Sequence, residues 1–281
     1  MFEPYFFIKL GIMLSMGPWR LGKCIYTAKD KSSVYEVTSH TLKTDDKWLV
    51  KVKDNTDAFE LYTLLSLNIE AKPPNMVELC KDPFHKFGMT PQHIWYAMKK
   101  YDSHLKPEHA GSWREIAKAA LGFIKVLHKT YQYIYMDFRM ENILVDGDKF
   151  IIADYDNVTR VEMVKLRKLS RYNRWYYMAR GGEPDQWAFS WKMDLMSLGY
   201  LLINLTSDEG KAICEELIRR RQGEQKSHMS MREFAKRRNA LMYEAANPTL
   251  KKYLDIMKEV KWNTFTPPPY DIYTRLLALF E

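Results

Sequence analysis

The sequence predicts an α+β protein in which a small β-rich N-terminal part precedes a larger helical part. Three observations carry this. Between Trp19 and Val52 the runs WRLGKCIY, SSVYEV and KWLVKV are rich in aromatic and β-branched residues around the polar centre TAKDK, which is a strand pattern. Beyond Asp208, REFAKRRNALMYEAAN and LKKYLDIMKEV are amphipathic at helical spacing. At 281 residues, 46% hydrophobic and 28% charged, the chain has the composition of a globular protein and the length for one large domain or two parts.

The first sixteen residues, MFEPYFFIKLGIMLSM, are apolar but interrupted by Glu3, Pro4 and Lys9. They are too short for a membrane span and lack the basic start of a secretory signal. They read as a leader, an added strand, or sequence upstream of a later start at Met13 or Met16. After the strands, a helix is expected from Asp57 to Leu67, with Phe59, Leu61, Leu64 and Leu65 apolar. AKPPNMVELCKDPFHKFGM, broken by three prolines, reads as a loop-rich link, and HIWYAM as a further strand. A helix then runs from Ser112, with Ser112 and Glu115 spaced as a capping box and Trp113, Ile116, Ala120, Phe123, Ile124 and Leu127 forming its apolar stripe.

That helix delivers the chain into LHKTYQYIYMDFRMENILVDGDKFIIADYD, Leu127 to Asp156, around which the rest is organised. The runs ILV and FII are short strands, and Asp146-Gly147-Asp148 supplies the turn between them. Asp137, Asn142 and Asp154 thereby gather around one hairpin. Phosphoryl transfer uses such a set: one carboxylate to take a hydroxyl proton, an amide and a second carboxylate to hold Mg²⁺ on phosphates. A basic segment with little periodicity follows, RVEMVKLRKLSRYNRWYYMARGGEPDQ. The apolar helix WKMDLMSLGYLLINL comes next and carries one acid, Asp194.

The YMDFRMEN and ADYD segments resemble the catalytic and magnesium-binding loops of protein kinases. Similarity extends from Trp19 to the C-terminus; WRLG, DLMSLGYLL and PPPYDIYTRLLALF resemble the vaccinia-related kinase branch of the casein kinase 1 group, most closely a degenerate poxvirus-encoded pseudokinase member. The resemblance implies a bilobal protein kinase-like fold, with residues 1–18 a leader, 19–98 an N-lobe, and 99–281 hinge and C-lobe. It implies that Asp137 is the catalytic base, that Asn142 and Asp154 hold Mg²⁺, and that Lys51 pairs the ATP phosphates. Glu60 would pin Lys51, Met98 would stand at the gatekeeper place, and Lys99 to Tyr101 would offer backbone groups to adenine. Asp194 would accept hydrogen bonds from the catalytic loop. Read from the residues alone, Lys51 is also readable as a solvent-facing strand lysine, Glu60 as a surface acid, Met98 as core packing and Asp194 as an exposed acid at a helix start.

Four departures from the family pattern bear on function. The glycine-rich phosphate loop is replaced by KCIYTAKDKSSV, with Tyr26, Ala28 and Ser32 near the expected glycines and Lys29 and Lys31 beside them. A Cβ there hinders close approach of backbone N–H groups to phosphate. Tyr135 and Met136 stand before the catalytic aspartate, Arg139 replaces a lysine, and Asp156 replaces the glycine after Asp154-Tyr155. Asp156 is either a tolerated residue or a spare metal ligand.

Two functions remain open at this point: a pseudokinase acting through protein interactions with weak or no nucleotide binding, and an active serine/threonine kinase using ATP and Mg²⁺, with Arg139 neutralising the transferred group. Its partner is then a protein or a Ser/Thr protein substrate. A net charge of +8, with Arg219-Arg220-Arg221 and the run Arg232 to Arg238, fits either a solvated helix face or a nucleic-acid or chromatin contact. Three cysteines without metal-ligand spacing fit a reduced intracellular setting. A monomer without a membrane span is expected, nuclear in preference to cytoplasmic.

Overall fold

The computed structural model describes residues 15–27, 32–42, 47–54, 58–69, 72–160, 191–221, 231–260 and 267–281. The leader before Ser15, the basic segment 161–190 and residues Ala28, Lys29 and Lys31 lie outside the described residues. So do the side chains of Arg219, Arg220, Arg221, Arg232 and Lys236. The protein is mixed α and β and divides into two compact units, Met1–Leu65 with Val77–Tyr101 and Ser66–Met76 with Asp102–Glu281. Lys99, Lys100 and Tyr101, placed by the sequence with the second part, cluster with the first.

The first unit is built on an antiparallel six-stranded sheet of order β1-β2-β3-β4-β6-β5. Its strands are β1 (Ser15–Met16), β2 (Trp19–Thr27), β3 (Ser33–Ser39), β4 (Trp48–Asp54), β5 (Phe87–Met89) and β6 (His93–Lys99). Helix α1 (Phe59–Ile69) follows β4, and a single turn, α2 (Pro83–Lys86), precedes β5. The sheet starts before the expected Trp19, because Ser15 and Met16 pair with Arg20 and Trp19. Likewise α2 and β5 lie within the stretch read as loop. Each is too short to show a period, and Asp82 caps α2 by accepting from the Phe84 N–H at 2.8 Å.

Trp19, Tyr35, Val50, Val52 and Trp95 form the core of this unit. The Trp19 indole N–H reaches the His85 carbonyl at 2.9 Å, so the ring is buried with its one donor satisfied. Two glycines make room for the Trp95 indole. A Cβ on Gly88 would fall 2.5 Å from one Trp95 ring atom and 2.7 Å from another, and one on Gly17 within 2.6 Å.

In the second unit, a 3-10 segment (Pro107–Ser112) leads into α3 (Trp113–Lys129). Ile116, Ala120, Phe123, Ile124 and Leu127 are fully buried, as the stripe predicts. The capping box does not form. Ser112 ends the 3-10 segment, and the N–H of Trp113 finds the Ala110 carbonyl instead, so no hydroxyl is needed there. Strands β7 (Ser103–His104), β9 (Ile143–Asp146) and β10 (Lys149–Ile152) form one antiparallel sheet, and β8 (Tyr133–Ile134) pairs with β11 (Thr159–Arg160). Gly147 turns the β9–β10 hairpin at φ 57°, a conformation open to glycine without a Cβ penalty.

Helices α4 (Trp191–Thr206), α5 (Asp208–Arg221), α6 (Met231–Ala245), α7 (Pro248–Glu259) and α8 (Tyr270–Ala278) complete this unit. Almost every residue of α4 is buried. Arg238, assigned to a basic surface run, is itself buried on α6, its guanidinium 5.5 Å from the Tyr200 ring and bonded to the Asn239 side chain. Among the described residues, no helix is long and apolar enough to cross a membrane.

Gly88→Ala is expected to destabilise the protein by roughly 1–3 kcal/mol, because a buried indole must shift to admit the methyl. Gly111→Ala is the control, since a Cβ there meets nothing within 4 Å. Thermal unfolding that moves equally little for both would disprove the account of Trp95.

Candidate functional site

Lys51 and Glu60 lie together in the first unit. β4 is covered on both faces, so the Lys51 stem is buried and its ammonium must find an acceptor. It finds Glu60, on the first turn of α1, with Nζ 2.9 Å from Oε1 and 2.8 Å from Oε2. The sequence left Lys51 and Glu60 open to a surface reading; both are interior, 7% and 1% exposed. A residue the sequence reading missed is Lys53, on the same face of β4 and also buried, with Nζ 3.6 Å from Glu60 Oε2. Its only signal is the period of two in LVKVK.

Met98 is half-buried and sits opposite Leu49 in the sheet. The N–H groups of Lys99 and Lys100 are committed to the unit's own backbone, donating to Glu78 and Lys47 carbonyls at 2.9 and 2.7 Å. The Tyr101 hydroxyl accepts from the Glu78 N–H at 2.7 Å.

Asp137, Arg139, Asn142 and Asp154 gather in the second unit. Between β8 and β9 the chain turns through Tyr135–Arg139 and a 3-10 segment (Met140–Asn142) that returns it to the hairpin. The Asn142 side-chain N–H₂ donates both to the Asp137 carbonyl, at 3.0 Å, and to Asp137 Oδ2, at 2.9 Å. Asn157, unmarked by any motif, donates to the same Oδ2 at 3.2 Å. Arg139 lies between two acids, its Nε 3.6 Å from Asp137 Oδ1 and its Nη2 3.8 Å from Asp154 Oδ2. Burial pushes the Asp137 carboxyl up to about 7, with Arg139 and the two amides opposing the rise and Asp154 adding to it.

Aromatic packing and one acid hold this loop. Tyr135 is fully buried, its ring 4.6 Å from Phe138 and 5.6 Å from Phe123, and its hydroxyl donates to the Ala153 carbonyl. Asp194, on α4, accepts from the Tyr135 and Met136 N–H groups at 2.6 and 2.7 Å and from His128 Nε2 at 2.9 Å. Its carboxylate is thus interior and anchored to the loop, not exposed. Met136 and Asp154 both take left-handed backbone, φ 62° and 60°, which costs about 1–2 kcal/mol in each non-glycine residue.

Comparison with protein-family models and with curated proteins returned no match. The site therefore rests on its own chemistry. An amide oxygen and a carboxylate suit a hard cation such as Mg²⁺, and Asn142 and Asp154 supply them. Arg139 beside Asp154 opposes such a cation electrostatically.

Two outcomes are expected. Asp194→Ala removes the acceptor of three buried donors and costs about 3–5 kcal/mol, read by denaturant unfolding. For Asp137 the folded carboxyl titrates near 7 and the unfolded one near ~3.9. The folded state therefore binds the proton more tightly, and stability falls as pH rises from about 4 to 7, by at most roughly 4 kcal/mol. Asp137→Asn keeps an acceptor for both amides and never ionises. Its melting temperature relative to the parent rises between pH 5 and pH 8; a pH-independent difference rejects the assignment.

Proposed function

We propose that the chain is a two-lobed, protein kinase-like pseudokinase of the vaccinia-related type that acts through protein interactions and binds nucleotide weakly or not at all. Support for the fold comes from an antiparallel sheet with α1 after its third long strand, followed by a hairpin-bearing helical unit. Lys51–Glu60 supports an N-lobe phosphate site. The Asp137–Asn142 contact and the Asp194 anchor support a catalytic-type loop.

One observation carries the choice of a pseudokinase. The Arg139 guanidinium sits between the Asp137 and Asp154 carboxylates, so a side chain supplies positive charge where a magnesium ion would bring it. Together with a phosphate loop lacking glycines, this lowers affinity for metal and nucleotide while leaving the core intact. A reduced intracellular compartment fits this reading, with the nucleus favoured. The partner is a protein, and any polyanion contact must use basic side chains other than Arg238.

The active-kinase reading is favoured by a different feature of the same contacts. At 3.6 Å the Arg139 Nε is too far from Asp137 for a hydrogen bond, and a quarter of the Arg139 side chain stays exposed to meet a transferred phosphate. In that case Asp137 orients the hydroxyl of a Ser/Thr protein substrate, Asn142 and Asp154 hold Mg²⁺, and Lys51 steadies the ATP.

Thermal unfolding with Mg·ATP separates the two. A ligand at a hundred times its Kd stabilises by about 2.7 kcal/mol, a readily measured shift. The parent is expected to shift little, and Arg139→Ala to acquire a Mg²⁺-dependent shift that the parent lacks. A large shift in the parent, with phosphate transfer abolished by Asp137→Ala, establishes the enzyme instead.

A further inference from the structure

The Asp137 loop is tied to the last helix of the chain by a buried run of hydrogen bonds, of which the sequence marks the Asp194 contacts to the loop but neither His128 nor Tyr273. Asp194 Oδ1 accepts the Met136 N–H, and Oδ2 accepts both the Tyr135 N–H and His128 Nε2. The other ring nitrogen of His128, Nδ1, lies 2.7 Å from the hydroxyl of Tyr273 on α8. His128, Asp194 and Tyr273 are all fully buried.

The direction of each bond follows from the acceptor. A carboxylate only accepts, so Nε2 carries the proton, and in a neutral ring Nδ1 is then the acceptor of the Tyr273 O–H. Burial and the Asp194 charge hold the Tyr273 phenol far above its ordinary range, which keeps it a neutral donor. His128 is further fixed by the Trp191 ring, 4.9 Å away and steeply inclined to it.

We propose that His128 and Tyr273 are positioning residues for the Asp137 loop, holding the Asp194 carboxylate that grips the Tyr135 and Met136 amides. The backbone makes the need for them plain. Met136 has left-handed backbone, φ 62°, one residue before Asp137, and a methionine leaves that region unless its N–H is held. Rotation of the Asp194 carboxylate would release that N–H. His128 prevents the rotation by occupying Oδ2, and Tyr273 prevents the imidazole from turning away. A segment distant in sequence, α8, thereby sets the backbone on which Asp137 stands. The functional weight of this inference rests on the reading of Asp137 given above; the hydrogen-bond run itself does not.

The test is amide hydrogen exchange by NMR on the full chain, comparing the parent with Tyr273→Phe, which keeps the ring and removes one hydroxyl. Exchange at the Tyr135 and Met136 amides is expected to quicken tenfold or more, while amides of β4 in the other unit keep their parental rates. Unchanged protection at Tyr135 and Met136 overturns the proposal. Uniform loss of protection, tracking a lower melting temperature, also overturns it, because Tyr273 is then merely structural. His128→Gln is the second variant: its side-chain N–H₂ retains a donor for Asp194, so it is expected to lose less protection than His128→Ala. If exchange responds as expected but Arg139→Ala gains no response to Mg²⁺, the positioning role stands and the reading of Arg139 as the side chain that takes the place of magnesium fails.

Discussion

A carboxylate cannot be buried on an apolar helix without donors, and Asp194 is buried on a helix almost all of whose residues are interior. Its three donors come from two other segments, α3 and the loop after β8. The second unit is arranged around that requirement. Satisfying the charge draws two successive loop amides onto one side chain, and two successive amides converge on one carboxylate only if the backbone turns sharply. The turn is the left-handed Met136. Local strain and a buried charge, each unfavourable alone, are stable in combination.

Downstream of that anchor, the loop carries its charges inward. Asp137 is almost wholly enclosed, and both amides that reach it come from elements placed by the hairpin and by the turn after Tyr155. Rings replace what would otherwise be polar architecture here: Tyr135 packs against Phe123 and Phe138, and Tyr155 lies beside Phe123. Such a cluster excludes water, which raises the Asp137 carboxyl and strengthens the long contacts of Arg139.

Much of this was legible in the sequence. The β-rich first part, the hairpin at Gly147, the apolar stripe of α3 and the C-terminal helices follow from period and turn chemistry, since each is long enough, or punctuated enough, to show them. Asp137, Asn142 and Asp154 were recognisable by spacing, as was Asp194 by being the single acid in an apolar run. Other features were hidden for physical reasons. Strand β5 and helix α2 are held by tertiary pairing and a local cap, not by propensity. Asn157, His128 and Tyr273 matter through partners distant in sequence, and such pairings leave no local pattern. Arg238 illustrates the reverse error: a cationic run predicts exposure for every member, yet one of them is buried beneath a tyrosine ring.

Finally, two ammonium groups share one carboxylate in the first unit, Lys51 and Lys53 on Glu60. Such sharing gives that carboxylate a reserve counter-ion. Loss of either lysine leaves Glu60 in company, whereas loss of Glu60 removes an acceptor that both lysines use. Sequence drift at this corner is therefore asymmetric: either cation can be replaced with less harm than the acid on which both converge.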